Sequence, residues 1–272
     1  MWISFALAIA LTAAPAQSDQ LTISNVRATY DLLGPNRPDD KILPGDKYTI
    51  AFDVEGLKLA PDGKVSFSMA MELTDASGKV VYSQPAKDQE AYLSLGGSRA
   101  TNSVWFYTKP DGKPGKYTVK VTVADKSTKA SQSFTREYEV LPKEFGIVQL
   151  FTTSDANALV PAPLSGVTGQ FLHVNFGVVG FDRNKGNNQP DVRVEMRVLD
   201  EKGKPTLEKA VEGAINEKVP SDIVFLPMQF HLALNRPGKF TIELKAVDNA
   251  AGKTAKKIKL PLMVVEQKAP TE

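Results

Sequence analysis

Pro114-Gly115-Lys116-Tyr117-Thr118-Val119-Lys120-Val121-Thr122-Val123-Ala124-Asp125 and Pro237-Gly238-Lys239-Phe240-Thr241-Ile242-Glu243-Leu244-Lys245-Ala246-Val247-Asp248 are two versions of one pattern. Each opens on Pro-Gly-Lys-aromatic-Thr, alternates apolar with polar residues, and closes on aspartate. Alternation with a period of two marks a strand with one face in a core and the other toward water. The Pro-Gly pair in front is turn chemistry, so each strand begins where a turn ends.

The correspondence extends outward from these strands. Lys47-Tyr48-Thr49-Ile50-Ala51-Phe52-Asp53-Val54-Glu55-Gly56-Leu57 matches Phe171-Leu172-His173-Val174-Asn175-Phe176-Gly177-Val178-Val179-Gly180-Phe181, with Phe52 on Phe176 and Gly56 on Gly180. Phe67-Ser68-Met69-Ala70-Met71-Glu72-Leu73-Thr74-Asp75, followed by Ser77-Gly78-Lys79, matches Val192-Arg193-Val194-Glu195-Met196-Arg197-Val198-Leu199-Asp200, followed by Lys202-Gly203-Lys204. Each half then ends on a strand, at 137–141 and 261–265. Three matches in order, at a near-constant offset and with glycines in register, read as an internal duplication. Turn formers such as Pro61-Asp62-Gly63, Pro110-Asp111-Gly112 and Asn235-Arg236-Pro237-Gly238 separate the runs. No stretch after the N-terminal segment carries an apolar helix face beyond a turn or two. The expectation is an all-β chain of two antiparallel sandwiches in tandem, residues 19–142 and 143–267, with a polar tail at 268–272. The junction at 141–145 is short and not rich in Gly or Ser, which predicts limited motion between the halves.

The Pro-Gly-Lys-Tyr/Phe-Thr strand that ends in Asp resembles the penultimate strand of bacterial immunoglobulin-like β-sandwich domains of secreted proteins. The resemblance covers most of each half. It implies tandem immunoglobulin-like domains that act as spacers or binding modules. It also implies that the Tyr117 hydroxyl bonds backward across a sandwich corner, a role closed to Phe240 for want of a hydroxyl.

Composition narrows the function. With 33 basic against 31 acidic residues the net charge is +2, which offers no field for nucleic acid. The chain has no cysteine, so disulfides, thiolate metal sites and thiol nucleophiles are excluded. Residues 1–16 form a short apolar run ending in Ala14-Pro15-Ala16, a small-x-small cleavage pattern followed by polar Gln17-Ser18-Asp19-Gln20. No Lys or Arg precedes that run, yet the rest fits a cleaved signal peptide and predicts export to the periplasm or the exterior. No later segment is long and apolar enough for a membrane helix.

Candidate sites are few. There is no Gly-x-Ser-x-Gly elbow, and the only histidines are His173 and His231. Both occupy positions opposite to the apolar set of their strands, so they are expected to point outward from neighbouring strands. As two ligands they are weak candidates for a metal. The loop Asp182-Arg183-Asn184-Lys185-Gly186-Asn187-Asn188-Gln189-Pro190-Asp191 has Asp and Asn at alternate positions but lacks the glutamate of a calcium loop. Trp105 and Tyr107 share one face of a strand whose other face carries Val104 and Phe106, and either pair can be the outward one. Arg193, Arg197 and Lys245 are expected on one outer sheet face with Glu195 and Glu243, a polar face suited to protein contact. Lys256, Lys257 and Lys259 are expected in the last strand, where charge blocks edge pairing. The functional expectation is an exported, non-catalytic interaction or scaffold protein of the bacterial cell envelope or exterior, needing no cofactor and binding a protein partner. The alternatives are carbohydrate binding through Trp105 and Tyr107, and a hydrolase with scattered carboxylates.

Overall fold

The computed structural model describes residues 20–267. The expected signal peptide (1–16) and polar tail (268–272) lie outside the described residues. Within them the chain forms strands and no helix: β1 (Thr22–Thr29), β2 (Lys41–Ile42), β3 (Lys47–Glu55), β4 (Lys64–Asp75), β5 (Val80–Tyr92), β6 (Ala100–Tyr107), β7 (Gly115–Asp125) and β8 (Ser131–Val140) in the first half. The second half holds β9 (Gly146–Thr153), β10 (Ser165–Val167), β11 (Phe171–Val179), β12 (Val192–Leu199), β13 (Val211–Ile215), β14 (Phe225–Ala233), β15 (Gly238–Asp248), β16 (Lys253–Thr254) and β17 (Ile258–Val265).

In the first half a sheet of order β1-β3-β6 faces one of order β2-β8-β7-β4-β5. In the second, β9-β11-β14 faces β10-β17-β15-β12-β13, with β16 added beside β15. Apart from β16, the strand order is the same in both. Each sheet pair encloses its own core. Phe52, Phe67, Val119, Val121 and Tyr138 belong to one, and Phe176, Val194, Ile242, Leu244 and Leu260 to the other. The alternation read from the sequence is the alternation of burial: Val119, Val121 and Val123 are fully enclosed, as are Ile242, Leu244 and Ala246.

Two expectations need correction. The ladders are not all antiparallel, because β2 runs parallel to β8 and β10 parallel to β17. After the first strand of each half the chain crosses to the other sheet and covers the outer edge of its last strand. Segments of two or three residues carry no readable period. The lysines are also placed differently. Lys256 and Lys257 precede β17, and β17 lies between β15 and β10 rather than at an edge. Instead of guarding an edge, Lys257 bonds Glu243 at 2.9 Å and Lys256 reaches Asp39 of the first half at 3.0 Å.

The residues that matched between the halves do matching work. Gly56 and Gly180 take φ of 79° and 68°, and an added Cβ would meet the Gln20 and Glu144 carbonyl oxygens at 2.3 and 2.1 Å. Only glycine accepts both conditions. Asp125 is buried at the end of β7, where it accepts the backbone N–H groups of Lys58, Ser127 and Thr128. Asp248 does the same for Asp182, Ala250 and Ala251. The Tyr117 hydroxyl donates to the Lys113 carbonyl at 2.8 Å, the backward bond expected of it. At the equivalent corner the Arg236 guanidinium lies 5.0 Å from the Phe240 ring centroid, so a cation–π contact stands where the hydroxyl is missing.

The junction is polar and enclosed. Asp46 accepts the N–H of Gln149 and that of Lys47 on Oδ1, and the Arg37 guanidinium on Oδ2. The Gln149 side-chain amide donates to the Gly45 carbonyl at 2.7 Å.

Candidate functional site

The two sandwiches differ on the side where the outermost strands of the facing sheets meet. In the second half the inward positions of this side are apolar. Val211, Gly213 and Ile215 of β13 stand opposite the core residues Met196, Val194 and Val192 of β12, and so share their inward face. The fit is close: a Cβ added to Gly213 would sit 3.0 Å from the Met228 methyl carbon of β14. In the first half the equivalent positions on β5 are Ala91, Gln89, Lys87, Gln84 and Tyr82, opposite Val65, Phe67, Met69, Met71 and Leu73. Four successive inward positions are therefore polar-ended, and they cannot close over the core without leaving their groups unpaired. The sandwich stays open between β5 and β6.

The result is a cleft of about 930 Å³, against about 420 Å³ at the corresponding place in the second half. Residues 103–108 of β6 and the following turn form one wall, β5 forms the other, and Met69, Met71 and Leu73 lie at the floor. Lys109, Asp111 and Lys113 close one end. Asp75 also borders the cleft, but its Oδ1 accepts the Ser77 hydroxyl at 2.6 Å and the N–H groups of Ser77 and Lys79. The Ser77 hydroxyl bond above all holds the Asp75 carboxyl below the usual carboxylate range, and the backbone bonds from Lys79 and Ser77 add to it. It is an anion that fastens its own turn.

Trp105 and Tyr107 are the outward pair on β6, each about half exposed, at 52% and 54%. Phe106 is buried, and Val104 packs against the core. The two outward rings meet edge to face at 5.6 Å. The Lys47 ammonium lies 5.0 Å from the Trp105 centroid and is held there by Asp31 at 2.6 Å. Crossed rings with a cation over the indole make a broken surface, unlike the flat platform that stacks sugar rings.

The other expected residues fall elsewhere. His173 and His231 are directly opposed across β11 and β14, but His173 is buried rather than solvated, at 7% exposure. Their Nδ1 atoms are 2.6 Å apart, a hydrogen-bond distance in which one nitrogen donates and the other accepts. Two imidazoles sharing a tetrahedral zinc at about 2.0–2.1 Å would stand roughly 3.3 Å apart, so the pair is a mutual bond and not a chelate. Among the described residues no group of three or more His, Asp or Glu is disposed to hold a metal. The loop at 182–191 is held by Arg183, which donates to the carbonyls of Asn188, Pro220 and Ile223. Arg193, Arg197 and Lys245 do share the outer face of β12 and β15. Arg193 pairs with Glu212 and Glu195, while Arg197 and Lys245 make no ion pair among the described residues.

Sequence reading missed the β5 wall. Val80-Val81-Tyr82-Ser83-Gln84-Pro85-Ala86-Lys87-Asp88-Gln89 has no period of two, and a proline argues against a strand. Its polar inward row has meaning only once the register with β4 is known.

No protein family and no curated protein matches the chain. Solved structures with some likeness include the C-terminal domain of the Streptococcus pyogenes antigen I/II-family protein AspA, 12% identical over 88% of this chain and 98% of that one, with a TM-score of 0.28. The C-terminal domain of the Streptococcus agalactiae AgI/II polypeptide BspA is 12% identical over 89% and 100%, with a TM-score of 0.30. Red sea bream transglutaminase is 10% identical over 91% of this chain and 31% of that one, with a TM-score of 0.27. At such values none of them assigns a family or an activity to this chain.

Proposed function

We propose that this chain is an exported, non-catalytic interaction protein of a bacterial cell envelope or exterior, and that it grips a protein partner at the open side of its first sandwich. Its halves are then two immunoglobulin-like domains that arose by duplication and diverged at that side. The observation that carries the reading is the row Tyr82, Gln84, Lys87 and Gln89 on the inward face of β5, where the second half has Val211, Gly213 and Ile215. One copy narrows its side with apolar residues, and the other keeps a larger, polar-walled cleft with aromatic residues at its rim. Export rests on the reading of residues 1–16. Arg197 and Lys245 offer a second, weaker contact face.

Carbohydrate binding is the second reading, favoured by the exposure of Trp105 and Tyr107. The hydrolase reading needs a carboxylic acid and a carboxylate facing each other across a cleft, and Asp75 is fastened to its own turn. Photocrosslinking in the cell envelope from position 107, with position 197 as the comparison, tests the proposal. The expected product is a protease-sensitive adduct from position 107. Glycan-array binding that vanishes in Trp105→Ala would replace the proposal with the sugar reading. Turnover of a glycan or peptide by pure protein, lost on changing one carboxylate, would overturn both.

A further inference from the structure

The free edge of β6 lacks the usual defences. Exposed edge strands are normally shortened, bulged, charged or broken by proline, because their unpaired N–H and C=O groups template another strand. Along Ala100–Tyr107 there is no charge and no proline, and the register with β3 runs unbroken through eight pairs. Among the described residues, no backbone group of this strand bonds another backbone group outside the β3 ladder, and the Ala100 carbonyl accepts the strand's own Asn102 side-chain amide at 3.1 Å. Its counterpart β14 carries Pro227 and is backed by β13. Across the cleft, β5 is protected by Pro85 and two register shifts. One edge of the pair is kept available while its neighbours are blocked.

The charge around it is one-sided. Lys79, Lys87, Lys109 and Lys113 border the cleft, and none makes an ion pair among the described residues. Asp75 and Asp111 are the two carboxylates there, so the basic groups outnumber the acidic ones by two.

We propose that β6 accepts an extended acidic segment of a partner protein as an added strand. This rests on the reading of the chain as a protein-binding module and specifies how that module binds. Main-chain hydrogen bonds to β6 supply the register, and alternate side chains supply the choice of partner. One row of the incoming strand points into the cleft toward Lys87, where carboxylates fit. The other row lies on the outer face beside Trp105 and Tyr107, where apolar side chains fit.

The test uses the full mature chain and an octapeptide alternating glutamate with valine, together with its lysine-for-glutamate counterpart. Amide exchange and Trp105 fluorescence are the readouts. The acidic peptide is expected to bind and to slow exchange within Ala100–Tyr107, and to weaken as salt rises. The basic peptide, and the Lys87→Glu/Lys113→Glu double variant with the acidic one, are expected to bind about tenfold more weakly or worse. Both lysines are exposed, so the variant is expected to fold, and an unchanged melting curve checks it. Equal affinity for both peptides, protection of strands other than β6, no binding of either peptide, or β6 protection by self-association alone would each overturn strand addition. If position 107 still crosslinks a protein in such a case, the interaction reading stands and only its mode falls.

Discussion

The backbone N–H of Gln149, in the second half, donates to Oδ1 of Asp46, in the first, at 2.7 Å. The same carboxylate takes the Arg37 guanidinium at 2.7 Å, with both side chains 6% exposed. Gln149 is held at φ of 51°, a left-handed conformation that a non-glycine residue adopts only when its surroundings compel it. One aspartate thus links the entry of β3 to the register irregularity within β9 and ties the two halves together.

Asp46→Ala is expected to take the counter-ion from a buried guanidinium, which keeps its bond to the Lys47 carbonyl, and to leave the Gln149 N–H unpaired, at a loss of about 3–5 kcal/mol. Calorimetry should then resolve two transitions, one for each half, where the parent chain gives one. An unchanged single transition would show that the halves are coupled by something other than this carboxylate.

The two corners give a paired prediction. Tyr117→Phe removes the hydroxyl bond to Lys113 and should lower stability by about 1 kcal/mol, since that bond is near the surface. Phe240→Tyr should change little, because the Arg236 contact already occupies that corner. Urea unfolding of both variants measures the difference, and equal effects would remove the distinction between the corners.

Gly56→Ala and Gly180→Ala should each destabilise by at least about 1–3 kcal/mol, the usual strain at a left-handed position, before the clash with a backbone carbonyl is added. Gly78→Ala supplies the contrast. It also has positive φ but meets nothing within 4 Å, so it should show the conformational part alone. If all three fall equally in thermal melts, the carbonyl contact is not what selects glycine at positions 56 and 180.

Acid should weaken the first half through Asp53. Burial alone would raise its carboxyl pKa, but hydrogen bonds from Asn25 and Thr101 and the charges of Arg99 and Arg27 outweigh it and hold the group below its ordinary value. The folded chain therefore binds that proton less readily than the unfolded chain. The stabilisation is present above the ordinary carboxylate pKa and is lost as pH falls through the folded value. Melting temperatures against pH should show the parent losing more than Asp53→Asn on acidification. Parallel curves would deny Asp53 this part.

His173 and His231 should not bind zinc. Because their Nδ1 atoms bond each other, added zinc should leave the melting temperature of the parent and of His231→Ala equal to their metal-free values. A rise confined to the parent chain would revive the metal reading.

What the sequence determined by itself was local and repetitive. Alternation over Tyr117–Asp125 and Phe240–Asp248 dictates half-buried strands, because side chains of an extended backbone point to opposite faces in turn. Gly56, Gly180, Asp125 and Asp248 were visible as matches because each answers a backbone requirement that recurs in both halves. The hydroxyl on Tyr117 and its absence from Phe240 could be read residue by residue. What only the tertiary structure decided was register across distance. Whether Trp105 or Phe106 faces water depends on which side of β6 meets the core, and an alternating Val-Trp-Phe-Tyr run is apolar on both. The polar row on β5 acquires meaning only beside β4, since nothing local in the sequence says that Gln84 and Lys87 stand opposite Met71 and Met69. Position alone points His173 to solvent, and its burial beside His231 depends on a residue 58 positions away. Period and turn chemistry act between near neighbours, whereas the cleft is made by strands that meet only after the chain has folded.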